Sequence, residues 1–166
     1  MSTDAITMLK DDHKQIRRLF REFQSAGENA TKVKGRLVDQ ILEALTVHTY
    51  IENEGMYPQV RELLPAVEDD VLESYEEHHV ADLLCAELAA MSPDDERFDA
   101  KTTVLIENVT HHIEEEEGEW FPKVREALGR KQLQEIGARM LELREKAPRR
   151  PSAPSALKKA ADAVLS

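Results

Sequence analysis

The sequence predicts an all-α protein, an up-down-up-down four-helix bundle with a short C-terminal helical extension. Three observations carry that fold class. The 166 residues contain only six glycines. Long stretches repeat apolar residues with the period of an α-helix. A histidine pattern occurs twice: Asp12-His13 is followed 35 positions on by His48, with Glu52 four residues later and Pro58 ten residues after that histidine. Glu77-His78 is followed 34 positions on by His112, with Glu116 and Pro122 at the same two spacings. His13 maps onto His78 with an offset of 65 and His48 onto His112 with an offset of 64, so the chain reads as two helical hairpins of like design.

The first helix spans about Asp4 to Ser25 on the stripe Ile6, Leu9, His13, Ile16, Leu19, Phe20 and Phe23, stopping before Gly27. The second runs from about Thr31 to Leu64 on Val33, Leu37, Ile41, Leu45, His48 and Glu52, which places His48 and Glu52 on a face that otherwise buries leucines. Pro58 should kink it or end its first segment, because proline lacks an N–H and its ring clashes with the preceding turn; Pro65 closes the region. The third helix covers about Val67 to Met91, with Val71, Tyr75, His78, Leu84 and Leu88 inward. Ser92-Pro93-Asp94-Asp95 reads as a helix start, with Ser as cap, Pro in the first position and acids in the first turn. A fourth helix follows from about Pro93 to Leu128, with Pro122 echoing Pro58 and Gly129 ending it. Lys131 to Lys146 forms a further helical segment. The bundle domain is therefore 1–146. Residues 147–166 read as a Pro-rich linker and a short C-terminal helix or tail, with Leu157 to Leu165 able to form an amphipathic helix.

Composition narrows the function classes. Lys+Arg 22 against Asp+Glu 33 gives a formal net charge of −11, which argues against nucleic acid and anionic membrane as partners. Cys85 is the single cysteine, reads as a small buried hydrophobe, and permits no intrachain disulfide. The N-terminus starts acidic without an apolar stretch, and no run approaches a membrane span. A cytoplasmic protein is the expectation, with its oligomeric state open.

The doubled pattern carries the chemistry. Residues four apart on a helix are neighbours, so His48/Glu52 and His112/Glu116 can each chelate from one helix. His13 and His78 complete a candidate metal set of His13, His48, Glu52, His78, His112 and Glu116. Any one of these pieces alone is better read as a core histidine or a helix-surface pair; the doubling at matching offsets points to metal. Imidazole with carboxylate suits iron, manganese or zinc, and four His with two Glu exceed a single tetrahedral zinc. His111/Glu115 has the same chelating spacing, but only His112/Glu116 keeps the ten-residue distance to proline. His78 is preferred to His79 because Glu77-His78 repeats Asp12-His13. His79 and His111 then read as surface or supporting histidines, and Glu114, Glu115 and Glu117 as a solvated face or hydrogen-bond acceptors. Tyr50, Tyr57 and Tyr75 lie near the site in sequence. Each reads first as packing, though a phenolate is a competent ferric ligand. Met56 and Trp120 match in the two halves and read as packing near the kinks.

At Asp12-His13-Lys14-Gln15-Ile16, His48-Thr49-Tyr50-Ile51-Glu52, Glu77-His78-His79 and His112-Ile113-Glu114-Glu115-Glu116 with Phe121-Pro122, the chain resembles the hemerythrin-like family of HHE cation-binding domains, over about residues 4–146. The resemblance implies two iron ions in a non-haem di-iron centre, oxo- or hydroxo-bridged, with Glu52 and Glu116 bridging and His13, His48, His78 and His112 holding the ends. One departure stands out. Oxygen-carrying hemerythrins have a further histidine four residues before the position of His78, and here that position is Ser74. The vacancy is open to water, His79 or a tyrosine, which argues against simple O2 carriage. The chain is also similar to bacterial, particularly actinobacterial, HHE proteins, some of them linked to oxidative or nitrosative stress.

The function expected is a di-iron protein that binds or reacts with O2, hydrogen peroxide or NO, with catalase-like peroxide decomposition as its enzymatic version. The alternative is a non-catalytic metal- or redox-responsive regulatory module. Ferritin-like iron storage fits less well, because its paired Glu-x-x-His motifs are matched only by Glu76-x-x-His79.

Overall fold

Asp4 opens the first helix by accepting the backbone N–H of Thr7 at 2.9 Å, which satisfies a donor that the helix itself leaves free. The structure, a computed structural model, describes residues 4–151. From this cap α1 runs over Ala5–Ser25 and buries the whole stripe expected of it, His13 included. Next is α2, Thr31–Ile51. Its Val33 is exposed, contrary to expectation, while Lys34 is buried and paired with Asp99 at 2.6 Å.

The long second helix expected across Pro58 is built in three parts. After α2 comes a five-residue π turn, Glu52–Met56, and then α3, Tyr57–Leu63. The Tyr57 N–H reaches back five residues to the Glu52 carbonyl. The same device recurs between α5, Phe98–Glu115, and α6, Phe121–Ala127, where the Phe121 N–H bonds to the Glu116 carbonyl across the π turn Glu116–Trp120. Each proline is the second residue after its π turn. The widened turn carries the preceding carbonyls away from the ring, which is how the chain passes a proline here without breaking.

Two expectations are corrected. In α4, Glu68–Ala89, the buried face is Val71, Ser74, His78, Ala81, Cys85 and Leu88. Tyr75 and Leu84 are only partly buried. Ser74 stands beside the Tyr57 phenol, and Ala81 faces the same small cavity as His78 and His112. The fourth helix begins at Phe98 rather than Pro93. Ser92 donates its hydroxyl to Asp94 instead of capping backbone, and Asp95 accepts the Arg97 N–H, so both acids stabilise turns. Pro93 lies over Gly35, where a Cβ would sit 2.7 Å from its Cγ.

The segment expected over Lys131 to Lys146 is α7, Arg130–Lys146, which packs on α1, α2 and the first π turn. It presses close at Gly55, where a Cβ would come within 3.0 Å of Met140 and Leu143. The helix expected over Leu157 to Leu165 lies outside the described residues. No strand occurs among the described residues, and no helix among them is long and apolar enough to cross a membrane. The apolar interior falls into two clusters. One is built on Leu9, Ile51, Tyr57, Trp120, Phe121 and Met140, and the other on Ile16, Phe20, Ile41, Phe98, Leu105 and Ile113. Met56 and Trp120 are core packing, as expected. Along α1, α2, α4 and α5 the repeated histidines lie between the two clusters, and the repeated glutamates open the π turns that follow α2 and α5.

Candidate metal centre

Four helices deliver one histidine each to the layer between the cores: His13 from α1, His48 from α2, His78 from α4 and His112 from α5. Glu52 and Glu116 are the first residues of the two π turns. All six are buried, the glutamates completely. Ionisable groups gathered in an apolar interior are unfavourable unless each finds a partner.

The glutamates are shared. Glu52 Oε1 lies 3.0 Å from His48 Nε2 and 3.2 Å from His78 Nε2. Glu116 Oε1 lies 3.3 Å from His13 Nε2 and 3.2 Å from His112 Nε2. Donor atoms fall into two groups able to hold a cation: His13, His48, Glu52 and Glu116, and Glu52, His78 and His112.

Every imidazole is anchored from outside through Nδ1. His48 bonds to Asp12 at 3.0 Å and His112 to Glu77 at 2.8 Å. His13 bonds to Glu117 at 2.5 Å and His78 to Asn53 Oδ1 at 2.7 Å. The pattern repeats with the sequence: Asp12 corresponds to Glu77, and Asn53 to Glu117. All four partners present oxygen, so each Nδ1 carries the hydrogen and each Nε2 faces inward, the arrangement that metal-binding histidines use. Arg144 steadies Asp12 at 3.0 and 3.1 Å.

Five of the inward atoms have no hydrogen-bond partner of their own. His13 Nε2, His48 Nε2, both Glu52 oxygens and Glu116 Oε1 are buried without one. They approach one another at ion-pair distance yet are aimed at common points. His78 Nε2 and His112 Nε2 stand 3.1 Å apart, a juxtaposition that needs a proton or a cation between them. Buried polar atoms are normally satisfied, and cations would satisfy these. The residues present fit a metal.

Tyr57 was expected to be packing, with a ligand role open; its hydroxyl reaches the centre. It donates to Glu116 Oε2 at 2.7 Å and lies 3.2 and 3.3 Å from His78 and His112 Nε2. Ser74, buried one turn before His78, stands beside it. Tyr75 packs edge-on against the Tyr57 ring at 5.2 Å, and Tyr50 lies at the edge of the core. His79 is half-buried and outside both donor groups, while His111 is exposed beside Glu115. Of the neighbouring glutamates, Glu117 is the His13 acceptor and Glu114 is exposed.

Without metal, charge is balanced by protons. Burial pulls His13, His48 and His112 toward neutrality, but the facing carboxylates outweigh it and raise all three. Burial would raise Glu52, yet His48 and its other partners hold it well below the usual carboxylate range. Burial, with Glu116 and Glu52 nearby, pushes the Tyr57 phenol well above the ordinary tyrosine range. Beside the centre is a cavity of about 20 Å³, lined by His48, His78, His112, Glu77 and apolar Ile16, Leu45, Ala81 and Val109 among others.

Comparison with known proteins agrees with this geometry. A profile of the hemerythrin HHE cation-binding domain matches residues 4–124. The crystal structure of a hemerythrin HHE cation-binding domain-containing protein from Mycobacterium kansasii superposes with a TM-score of 0.70 at 24% identity, covering 87% of this chain and 89% of that one. A Nostoc sp. protein named DNA nickase is 29% identical over 128 residues, which is 77% of this chain and 35% of that protein. The chain thus spans about a third of that relative's length.

Proposed function

The chain belongs to the hemerythrin HHE cation-binding domain family, and on that premise we propose a non-haem di-iron protein that binds or reacts with O2, hydrogen peroxide or nitric oxide. The observation that carries this reading is the convergence of four outwardly anchored imidazoles on two shared, fully buried glutamates, both oxygens of Glu52 and Oε1 of Glu116 lacking hydrogen-bond partners. His13 and His48 would hold one cation, His78 and His112 the other, with Glu52 and Glu116 between them. Bound iron would supply redox chemistry and open positions for a small ligand.

The chain's own residues supply the rest. Asp12, Glu77, Glu117 and Asn53 fix the imidazole tautomers. The apolar cavity has room for about one water-sized molecule, which favours a diatomic or peroxide over a larger substrate. Tyr57 brings a phenol to the His78–His112 end, as a further ligand or as a proton donor held on Glu116. Catalase-like peroxide decomposition is the enzymatic form of this proposal.

The DNA nicking in the Nostoc relative's name is not carried over. The match takes in 35% of that protein, and a net charge of −11 opposes a phosphate backbone.

The test is metal content by mass spectrometry on protein isolated under iron sufficiency, read with an optical spectrum. Two irons per chain with near-ultraviolet oxo-to-iron bands are expected, and His112→Ala should lose metal and peroxide or NO reactivity together. A single zinc, or full iron loading in His112→Ala, would sink the proposal. Peroxide and NO titrations then divide the ligands.

A further inference from the structure

A second group of donors lies outside the buried layer. We infer that Glu77, His111 and Glu115 form a solvent-facing site for a divalent cation, and that this site feeds the buried centre. His111 and Glu115 stand four residues apart on α5, with Nε2 and Oε1 2.8 Å apart. This is the chelating spacing of His48/Glu52 and His112/Glu116. Glu77 faces them from α4, and one donor atom from each residue lies within 4.8 Å of the others.

The surroundings favour a cation. The His111 side chain is 65% exposed, and those of Glu115 and Glu77 are 24% and 21% exposed, so water can complete the coordination. Glu73, one turn before Glu77, adds its charge to Glu115. Among the ion pairs of the described residues, Glu77 and Glu115 have only histidines as partners. A carboxylate cluster with one imidazole and no lysine or arginine partner suits a hard or borderline divalent ion.

Glu77 belongs to both sites. Its Oε1 accepts from His112 Nδ1 at 2.8 Å, and it lines the small cavity together with His48, His78 and His112. A cation held by Glu77 from outside is one residue removed from the buried imidazoles. The feeding role rests on the buried centre's being a metal site; the outer site itself does not.

The experiment uses the full chain as isolated, titrated with Mn2+ and read by the electron paramagnetic resonance of the free ion. His111→Asn and Glu115→Gln should each bind one Mn2+ per chain fewer than wild type. The lost ion should be the one that enhances water-proton relaxation. Stripped protein reloaded with Fe2+ should reach the same final content in both variants as in wild type, but more slowly. Equal Mn2+ counts in wild type and variants overturn the site. Equal loading rates overturn the feeding role. A wild-type protein that takes up no iron contradicts the buried centre instead, and the Mn2+ difference then decides the outer site alone.

Discussion

The hydroxyl of Tyr57 donates to Oε2 of Glu116 at 2.7 Å, tying the residue after one π turn to the glutamate that opens the other. Phe121 occupies the position equivalent to Tyr57, 64 residues on. Both rings stack on histidines of the centre, Tyr57 on His78 at 5.2 Å and 22°, Phe121 on His13 at 6.1 Å and 8°. At this pair of positions the two halves differ by one oxygen atom, and it lies at the His78–His112 end.

Tyr57→Phe therefore installs a side chain that the other half already accommodates. The fold should persist at a cost of about 1 kcal/mol for the lost hydrogen bond, measured by thermal or denaturant unfolding. Iron content should be unchanged. If the wild-type protein shows a broad visible band, the variant should lose it; retention of that band would rule out Tyr57 as its source.

Glu52 serves both donor groups, whereas His13 serves one. Glu52→Gln should lose both cations, and His13→Ala should keep one at the His78–His112 end. Metal counts per chain separate the two outcomes. A fully loaded Glu52→Gln protein would show that the carboxylate is not shared.

Asp12 orients His48 and is itself held by Arg144. Replacing it with Asn keeps the shape but weakens the acceptor. Metal affinity should fall about 10- to 100-fold, as read by chelator competition, while the helical circular dichroism stays the same. Undiminished affinity would mean that packing alone orients the ring.

In the metal-free protein, burial pulls His48 down, but Glu52 and Asp12 push it up to about 10 from an ordinary 6.5. The folded value lies above the unfolded one. The protonated ring therefore contributes stability that is fully present below pH 6.5 and is lost as pH rises through about 10. Metal must displace this proton, so binding at neutral pH should release protons. Calorimetry in buffers of different ionisation enthalpy counts them, and a buffer-independent enthalpy would contradict the assignment.

The bundle and its six inward ligand candidates were legible because helical period and doubled spacing are properties of the sequence itself. The contribution of Tyr57 was not. Nine residues separate it from His48, and in an unbroken α-helix that places it on the opposite face, about 180° away. The π turn inserts one extra residue and brings it round to the centre. The only trace of that turn in the sequence is the fixed distance from histidine to Pro58 and Pro122. The acids that precede His13 and His78 were visible as markers of the repeat. Their partners were not, because Asp12 serves His48 and Glu77 serves His112 across helices. On α4, size favours Tyr75 and Leu84 as inward residues, whereas the inner face holds Ser74 beside the Tyr57 phenol and Ala81 beside the cavity of His78 and His112.

The polar layer also has a mechanical meaning. It separates one apolar cluster from the other, and neither cluster gains by adhering to charge. Loaded with cations, the layer acts as a rivet through all four long arms of the bundle. Emptied, it becomes a fault plane in which proton-sharing pairs replace apolar contact between the helices that cross it, and the two ends of the bundle are free to open at different temperatures. Metal occupancy would then set how many cooperative units the protein has, so that a single melting transition splits into two when the ions leave.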